Sequence, residues 1–146
     1  MVRNERGFTL VEALISLVIV AVFTLISYPF VINLYDYFQL NRLLTTFQAD
    51  LHRVRDVNMM PFQGEEQMTL RIYHQENRYV ILVGSQMEAS RDFPRNVTMP
   101  HQNAVSHITF NSQGNLGMGR TIVVRSREHE RRVVFSVGLG GFDVRE

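Results

Sequence analysis

An uncharged stretch of 23 residues, from Ala13 to Tyr35, constrains the fold of this chain more than any other feature of its sequence. As an α-helix it would extend about 35 Å, at about 1.5 Å per residue, and so cross a bilayer core of about 30 Å. Arg3 and Arg6 lie on the short N-terminal side of the stretch. Because positive charges favour the cytoplasmic side, we expect a single-pass protein of the cell membrane with a cytoplasmic N-terminus.

The helical pattern continues beyond the apolar stretch. Six apolar residues follow at spacings that place them on one helix face, and they are Leu40, Leu43, Leu44, Phe47, Leu51 and Val54. Pro61 and Gly64 then end the pattern. The sequence predicts one helix of about fifty residues, membrane-spanning in its first half and amphipathic in its second, with a kink at Pro29.

After Gly64 the apolar residues change to the period of β-strands. The predicted strands are Met68–Tyr73, Tyr79–Val83, Val105–Phe110, Thr121–Arg125, Arg132–Val137 and Phe142–Val144. A polar turn, Ser126–Arg131, separates the fourth strand from the fifth. The predicted fold class is therefore α+β, with the long N-terminal helix packed on a small, mostly antiparallel β-sheet.

Composition and spacing argue against most kinds of reactive site. The chain has no cysteine, which excludes disulfide bonds, thiolate metal sites and a cysteine nucleophile. Its 15 basic residues, all arginine, nearly balance its 14 acidic residues, so no strong overall charge attracts nucleic acid. The spacing of His52 and Asp56 is typical of a solvated helix pair, and Ser136 does not lie in a nucleophile elbow. We therefore expect no enzymatic activity, no catalytic residue, no cofactor and no metal.

The segment from Gly7 to Glu12 reads Gly-Phe-Thr-Leu-Val-Glu and directly precedes the apolar run. A secretory signal peptide would have a shorter apolar region followed by small residues at a cleavage site. A plain membrane anchor would explain the run but not Glu12, because a carboxylate in an apolar helix is costly. From the residues alone, Glu12 belongs either to an anchor that tolerates the charge or to a functional site.

This segment resembles the class III signal of type IV prepilins and pseudopilins. The resemblance implies that a prepilin peptidase cuts between Gly7 and Phe8 and then N-methylates Phe8. It also implies that Glu12 serves filament assembly, with its charge neutralised by the Phe8 amine of a neighbouring subunit. Pro29 lies where many family members carry a proline. The implied layout is a leader (1–7), the transmembrane half of the helix (8–35), its amphipathic half (36–60) and a C-terminal β-rich region (61–146), with residues 36–146 as a soluble pilin-like domain.

The C-terminal half is similar to one subfamily in particular. The pattern Phe110-Asn111 with Gly114, followed by Leu139-Gly140, resembles the D-type minor pseudopilin of Gram-positive competence systems. The H-type minor pseudopilin of type II secretion is the alternative, since its short chain and paired β motifs are similar too. The first resemblance implies a structural subunit of a filament for DNA uptake in natural transformation, present at the cell surface after assembly. The implied partners are the prepilin peptidase, the major pseudopilin, other minor pseudopilins, the assembly ATPase, the membrane platform protein and, before assembly, membrane lipid.

An alternative of another class is direct DNA binding at the filament tip. The candidate contact residues are five neighbouring arginines, namely Arg120, Arg125, Arg127, Arg131 and Arg132. Guanidinium groups bind phosphate, but Glu128 and Glu130 dilute the cluster, and no aromatic residue is interleaved for base stacking. The competing interpretation is a solvated hairpin or a contact between subunits.

Overall fold

The computed structural model of the chain describes residues 9–60, 66–100, 105–136 and 141–145. Within them the chain forms a helix, α1, at Leu10–Met59, and seven strands. The strands are β1 (Met68–Tyr73), β2 (Arg78–Val83), β3 (Gln86–Asp92), β4 (Val105–Ile108), β5 (Arg120–Arg125), β6 (Glu130–Phe135) and β7 (Phe142–Arg145). The predicted long helix is confirmed, since α1 contains 50 residues.

The chain divides into two compact units, Met1–Tyr35 and Asp36–Glu146. In the first unit, every described side chain from residue 9 to residue 31 is exposed. The helix α1, to which this segment belongs, is long and apolar enough to cross a membrane. The hydroxyls of Ser16 and Thr24 each donate a 2.8 Å hydrogen bond to the carbonyl four residues earlier, so both are satisfied without water, as lipid requires.

The helix α1 continues without a break through Pro29. The predicted kink at that residue stays a prediction.

In the second unit, α1 buries one face. All six residues of the predicted apolar stripe, from Leu40 to Val54, are buried, which confirms the amphipathic pattern. Burying each such side chain contributes about 1.5–3 kcal/mol. This half of the helix therefore belongs to the hydrophobic core of the second unit.

The strands of the second unit form two sheets in which all pairs are antiparallel. Their strand orders are β3-β2-β1-β4 and β5-β6-β7. Alternate residues are buried in each sheet, for example Leu70 and Ile72 in β1 and Ile122 and Val124 in β5. These residues share one core with the helix stripe. The α+β class is confirmed, with two sheets in place of the single predicted one.

Strand β3 was not predicted from the sequence. In its segment, Gln-Met-Glu-Ala-Ser-Arg-Asp, Ala89 is partly buried and the other six residues are exposed. The strand lies at the edge of its sheet and is held by pairing with β2. Because Ala89 is the one apolar residue of β3 that packs against the core, this edge strand has no apolar period and gives no strand signal in the sequence.

A buried carboxylate links the helix to the first sheet. Asp50 is 6% exposed, and its Oδ2 accepts hydrogen bonds from Tyr79 Oη at 2.7 Å and from Arg91 Nε at 2.6 Å. The Tyr79 ring is fully buried and meets Phe47 edge-on, with 5.3 Å between centroids. Because Tyr79 lies on β2 and Arg91 on β3, one carboxylate fixes both strands against α1.

Candidate functional site

The residues of the predicted cleavage site and part of the subfamily pattern lie outside the described part of the chain. They are Gly7 and Phe8, at the predicted cleavage site, and Leu139 and Gly140, in the subfamily pattern. Their roles stay predictions.

The described chain begins at Thr9, which caps the helix together with Glu12. Thr9 Oγ1 accepts a hydrogen bond from the backbone N–H of Glu12 at 3.2 Å, and the Glu12 carboxylate lies 3.5 Å from the backbone nitrogen of Thr9. This reciprocal arrangement is a capping box, and it satisfies helix N–H groups that have no carbonyl partner. The capping box was not predicted, although Thr-x-x-Glu before an apolar run is its sequence signature.

The Glu12 carboxylate is held only weakly. Its Oε2 lies 3.5 Å from both Thr9 nitrogen and Thr9 Oγ1, which is long for a hydrogen bond. The side chain is exposed, and it has no ion pair with any residue that the structure describes. Its position in the first helical turn favours a negative charge by only about 0.3–1 kcal/mol. Glu12 is therefore available to a stronger cationic partner.

The loop that carries the Phe110-Asn111 and Gly114 pattern is organised by the Asn111 side chain. Asn111 Oδ1 accepts hydrogen bonds from the N–H groups of Gln113 at 3.0 Å and Asn115 at 2.8 Å. Gly114 has a positive φ of 74°, and a Cβ there would lie 2.5 Å from Met59 Sδ. Gly114 is thus required by its positive φ and by its close approach to the end of α1, and Asn111 by the turn that its side chain closes.

The arginine cluster lies on the β5–β6 hairpin, where Glu130 pairs with two of its members. Arg125 faces Glu130 across the hairpin, so β6 begins at Glu130 and not, as predicted, at Arg132. Glu130 accepts hydrogen bonds from Arg125 Nη2 at 2.7 Å and from Arg132 Nη2 at 3.1 Å. Those from Arg125, and then those from Arg132, hold the pKa of Glu130 below its usual value. Two of the five candidate phosphate contacts are thus already paired with a carboxylate.

The tip of the hairpin lies against α1 at the start of the second unit. Arg127 Nε is 3.7 Å from Oδ2 of Asp36, which is 3% exposed. Asn96 Nδ2 donates a 2.6 Å hydrogen bond to Asp36 Oδ1. The rings of His129 and Tyr37 meet edge-on, with 5.6 Å between centroids. Asp36 therefore brings Arg127 of the hairpin and Asn96 of a distant loop together.

Arg120 and Arg131 do not extend this basic tip. Arg120 begins β5 and Arg125 ends it, so the two are separated by about 17 Å at about 3.3 Å per residue. Arg131 is partly buried and donates to the Glu130 carbonyl at 3.5 Å. The structure thus divides the five-arginine cluster that the sequence presents as continuous.

The described side chains are arranged for ion pairing and hydrogen bonding. Among them, no group of three or more His, Asp or Glu side chains could hold a metal ion. His52, which the sequence places near Asp56, packs its ring against Phe142 with 4.6 Å between centroids.

The N-terminal segment matches a known family model. Residues 2–28 match the prokaryotic N-terminal methylation motif, which is type IV prepilin-like. No curated protein and no solved structure matches the chain significantly. The matched residues include the predicted cleavage site, Glu12 and the beginning of α1. The motif implies processing by a prepilin peptidase and assembly with other pilins, and with the apolar helix it is compatible with a membrane-anchored protein.

Proposed function

We propose that this chain is a minor pseudopilin, a structural and non-enzymatic subunit of a competence type IV pilus-like filament used in DNA uptake. The observation that carries the proposal is the methylation motif at residues 2–28, which includes the beginning of an exposed apolar helix, followed along the chain by a compact α+β unit. A membrane anchor alone would need the apolar helix but neither the motif nor Glu12.

In the proposed mechanism, the first half of α1 holds the precursor in the membrane, with residues 36–146 outside. Cleavage after Gly7 would leave a positively charged amine on Phe8. That amine would pair with Glu12 of a neighbouring subunit, so that the carboxylate enters the filament core without an unpaired charge. The exposed apolar side chains of residues 9–31 support this role, because lipid and other pilin helices can both cover them.

The competence assignment, as opposed to the type II secretion alternative, is supported by the loop around Asn111 and Gly114. The side chain of Asn111 and the positive φ of Gly114 give the subfamily pattern a local conformation that other residue types do not readily adopt. In this proposal the subunit reaches the cell surface with the filament, and its partners are the major and other minor pseudopilins and the assembly machinery.

Processing and transformation test the proposal together. In a strain that carries only Gly7→Ala, we expect an uncleaved precursor and loss of natural transformation, because the added side chain blocks access to the scissile backbone. Mass spectrometry of the wild-type protein from native membranes should find N-methylated Phe8 at the N-terminus. Gly117→Ala is the matched control, since a Cβ at Gly117 meets no atom within 4 Å.

Two results would contradict the proposal. One is an intact Met1 in the mature wild-type protein. The other is normal transformation in the Gly7→Ala strain together with a defect in protein secretion, which would favour the type II secretion alternative.

A further inference from the structure

A cleft of about 360 Å³ lies between the tip of the β5–β6 hairpin and the loop that follows β3. Six residues line it, namely Arg95, Asn96, Thr98, Arg125, Ser126 and Arg127. Of these six residues, only the two hairpin arginines were predicted from the sequence to contact phosphate, because the loop residues are distant in the chain.

Backbone hydrogen bonds hold the loop against the hairpin. Thr98 and Arg125 each donate an N–H to the other's carbonyl, both at 2.8 Å. A turn closed by the Val97 N–H and the Pro94 carbonyl, at 2.8 Å, precedes this bridge, and Val97 is fully buried. With Val97 directed inward, Arg95 remains exposed at the surface. The cleft is therefore a preformed part of the second unit.

The three arginines that line the cleft are incompletely neutralised. Arg125 shares the carboxylate of Glu130 with another arginine. Arg127 is 3.7 Å from Asp36, which is longer than a hydrogen bond. Arg95 is exposed and has no ion pair within the described ranges of the chain. The cleft thus carries a local excess of positive charge.

A buried hydroxyl beside the cleft lacks a hydrogen-bond partner among the described residues. Ser126 is 4% exposed, and its Oγ finds no partner among the described residues. Buried polar groups are nearly always hydrogen-bonded, and an unsatisfied one is destabilising. Ser126 lines the cleft, and a rotation of its side chain, whose Oγ is closed to solvent, would let a ligand oxygen in the cleft satisfy this hydroxyl.

We propose that this cleft binds a phosphate group, either as inorganic phosphate or as a phosphodiester of DNA. A phosphate is tetrahedral, and its oxygens can accept hydrogen bonds from several guanidinium groups and a hydroxyl at once. A carboxylate is planar and is satisfied by one or two arginine forks, so three arginines and a serine suit phosphate better. The inference deepens the proposed function and rests on it only for the location of the domain outside the cell, where DNA is met.

The test uses the full chain in a nonionic detergent and a phosphate-free buffer. Fluorescence anisotropy of a short labelled DNA strand measures binding, and added inorganic phosphate should displace the DNA. We expect Arg95→Gln to weaken DNA binding about tenfold, because it removes one charge-assisted contact. The slope of log affinity against log salt should fall by about 1.

Arg145→Gln is the matched control for charge. Arg145 is exposed, lies on β7 outside the cleft and pairs with Asp143 at 3.2 Å. This variant loses the same charge and should bind DNA like the wild type. Arg95→Gln should also melt at the wild-type temperature, because Arg95 has no ion pair in the described structure to lose.

Ser126→Ala separates ligand binding from folding. Removing an unpartnered hydroxyl should leave the melting temperature unchanged or raise it when phosphate is absent. The rise in melting temperature on adding phosphate should become smaller than in the wild type. If Ser126 had a purely structural role, the variant would instead melt at a lower temperature without phosphate, and the proposal would be wrong.

Three other outcomes would overturn the proposal. The first is that Arg95→Gln and Arg145→Gln weaken DNA binding equally, which would indicate diffuse electrostatic attraction. The second is that inorganic phosphate does not displace the DNA. The third is that the cleft binds an acidic peptide and neither DNA nor phosphate. Each leaves the filament role intact if Phe8 is still methylated. Conversely, if the protein from native membranes is unprocessed but binds phosphate through Arg95, the filament role is excluded and the phosphate site is supported.

Discussion

The hydrogen bond between Tyr79 and Asp50 should be a principal source of stability in the second unit. Tyr79 is fully buried, and its hydroxyl donates at 2.7 Å to a carboxylate that is 6% exposed. The variant Tyr79→Phe keeps the ring, and therefore its edge-on contact with Phe47, and removes only the hydroxyl. The change in the free energy of unfolding then reports the hydrogen bond and little else.

The expected loss follows from the charge of the acceptor. A hydrogen bond to a charged group contributes about 1.5–3 kcal/mol net, so we expect Tyr79→Phe to cost about 2 kcal/mol. At about 4 °C per kcal/mol, the melting temperature should fall by about 8 °C. Asp50→Ala should cost about 3 kcal/mol, because it leaves the Tyr79 hydroxyl buried without an acceptor. The ion pair with Arg91 adds little to this, since the Arg91 side chain is 46% exposed.

Near-ultraviolet circular dichroism of the full chain in detergent follows the melt of the folded tyrosines. The double variant, Tyr79→Phe with Asp50→Ala, should lose about 1–2 kcal/mol less than the sum of the single variants, because no unsatisfied partner remains. Tyr37→Phe is the control, since this tyrosine is 38% exposed. A Tyr79→Phe protein that melts within about 2 °C of the wild type, a change of about 0.5 kcal/mol, would show that this hydrogen bond contributes little to stability.

The same variant has a second signature in alkali. Burial, followed by the hydrogen bond to Asp50, raises the pKa of Tyr79 far above its ordinary range. A raised pKa in the folded state means that this stability is complete below about pH 10 and declines as the pH rises further. In Tyr79→Phe that part of the alkaline decline should be absent. An equal decline in both proteins would show that Tyr79 ionises as freely when folded as when unfolded.

Two further predictions concern the membrane helix and the domain boundary. Glu12→Val should leave membrane insertion intact but lower the yield of sheared filaments about tenfold or more. The control, Ser16→Ala on the same helix, should leave the filament yield unchanged. A normal filament yield in Glu12→Val would exclude the pairing role. A fragment of residues 36–146 should melt cooperatively and give a circular dichroism spectrum of mixed helix and sheet, because the apolar stripe of its helix is buried within the second unit. An aggregated or unfolded fragment would contradict this domain boundary.

Much of the fold is predictable because its signals are local and periodic. The apolar stripe from Leu40 to Val54 repeats at helical spacing, and β1 alternates between buried and partly buried residues over its whole length. Strand β3 has no such period, since Ala89 is the one apolar residue of this edge strand that packs against the core. The burial of Asp50 could not be predicted either, because its position among polar helix residues gives no indication that its side chain is buried.

The candidate cleft could not be predicted for a related reason. Arg95 and Ser126 are brought to one site by the hydrogen bonds between Thr98 and Arg125, and no local pattern encodes this long-range bridge. The hairpin arginines form a recognisable cluster of charge in the sequence, but only some of their carboxylate partners can be predicted from it. Glu130 is close to these arginines in the sequence, whereas Asp36, on α1, is far from Arg127 in the sequence although the two side chains are neighbours in the structure. Charge density in a sequence is therefore a poor measure of the charge that a surface presents.

The capping box at Thr9 gives the Glu12 carboxylate a partner before assembly. In a lone chain, a bare carboxylate at the start of an apolar helix would be costly, and the Thr9 N–H reduces that cost without satisfying both oxygens. The contact between the Thr9 N–H and the Glu12 carboxylate is weak because it is 3.5 Å long, so a charged amine can replace it at a small cost in free energy. Thr9 Oγ1 can keep its separate hydrogen bond from the Glu12 N–H when the carboxylate turns away, so the helix remains capped. In the proposed mechanism, Glu12 would therefore stabilise the start of the helix before assembly and pair with a neighbouring subunit afterwards.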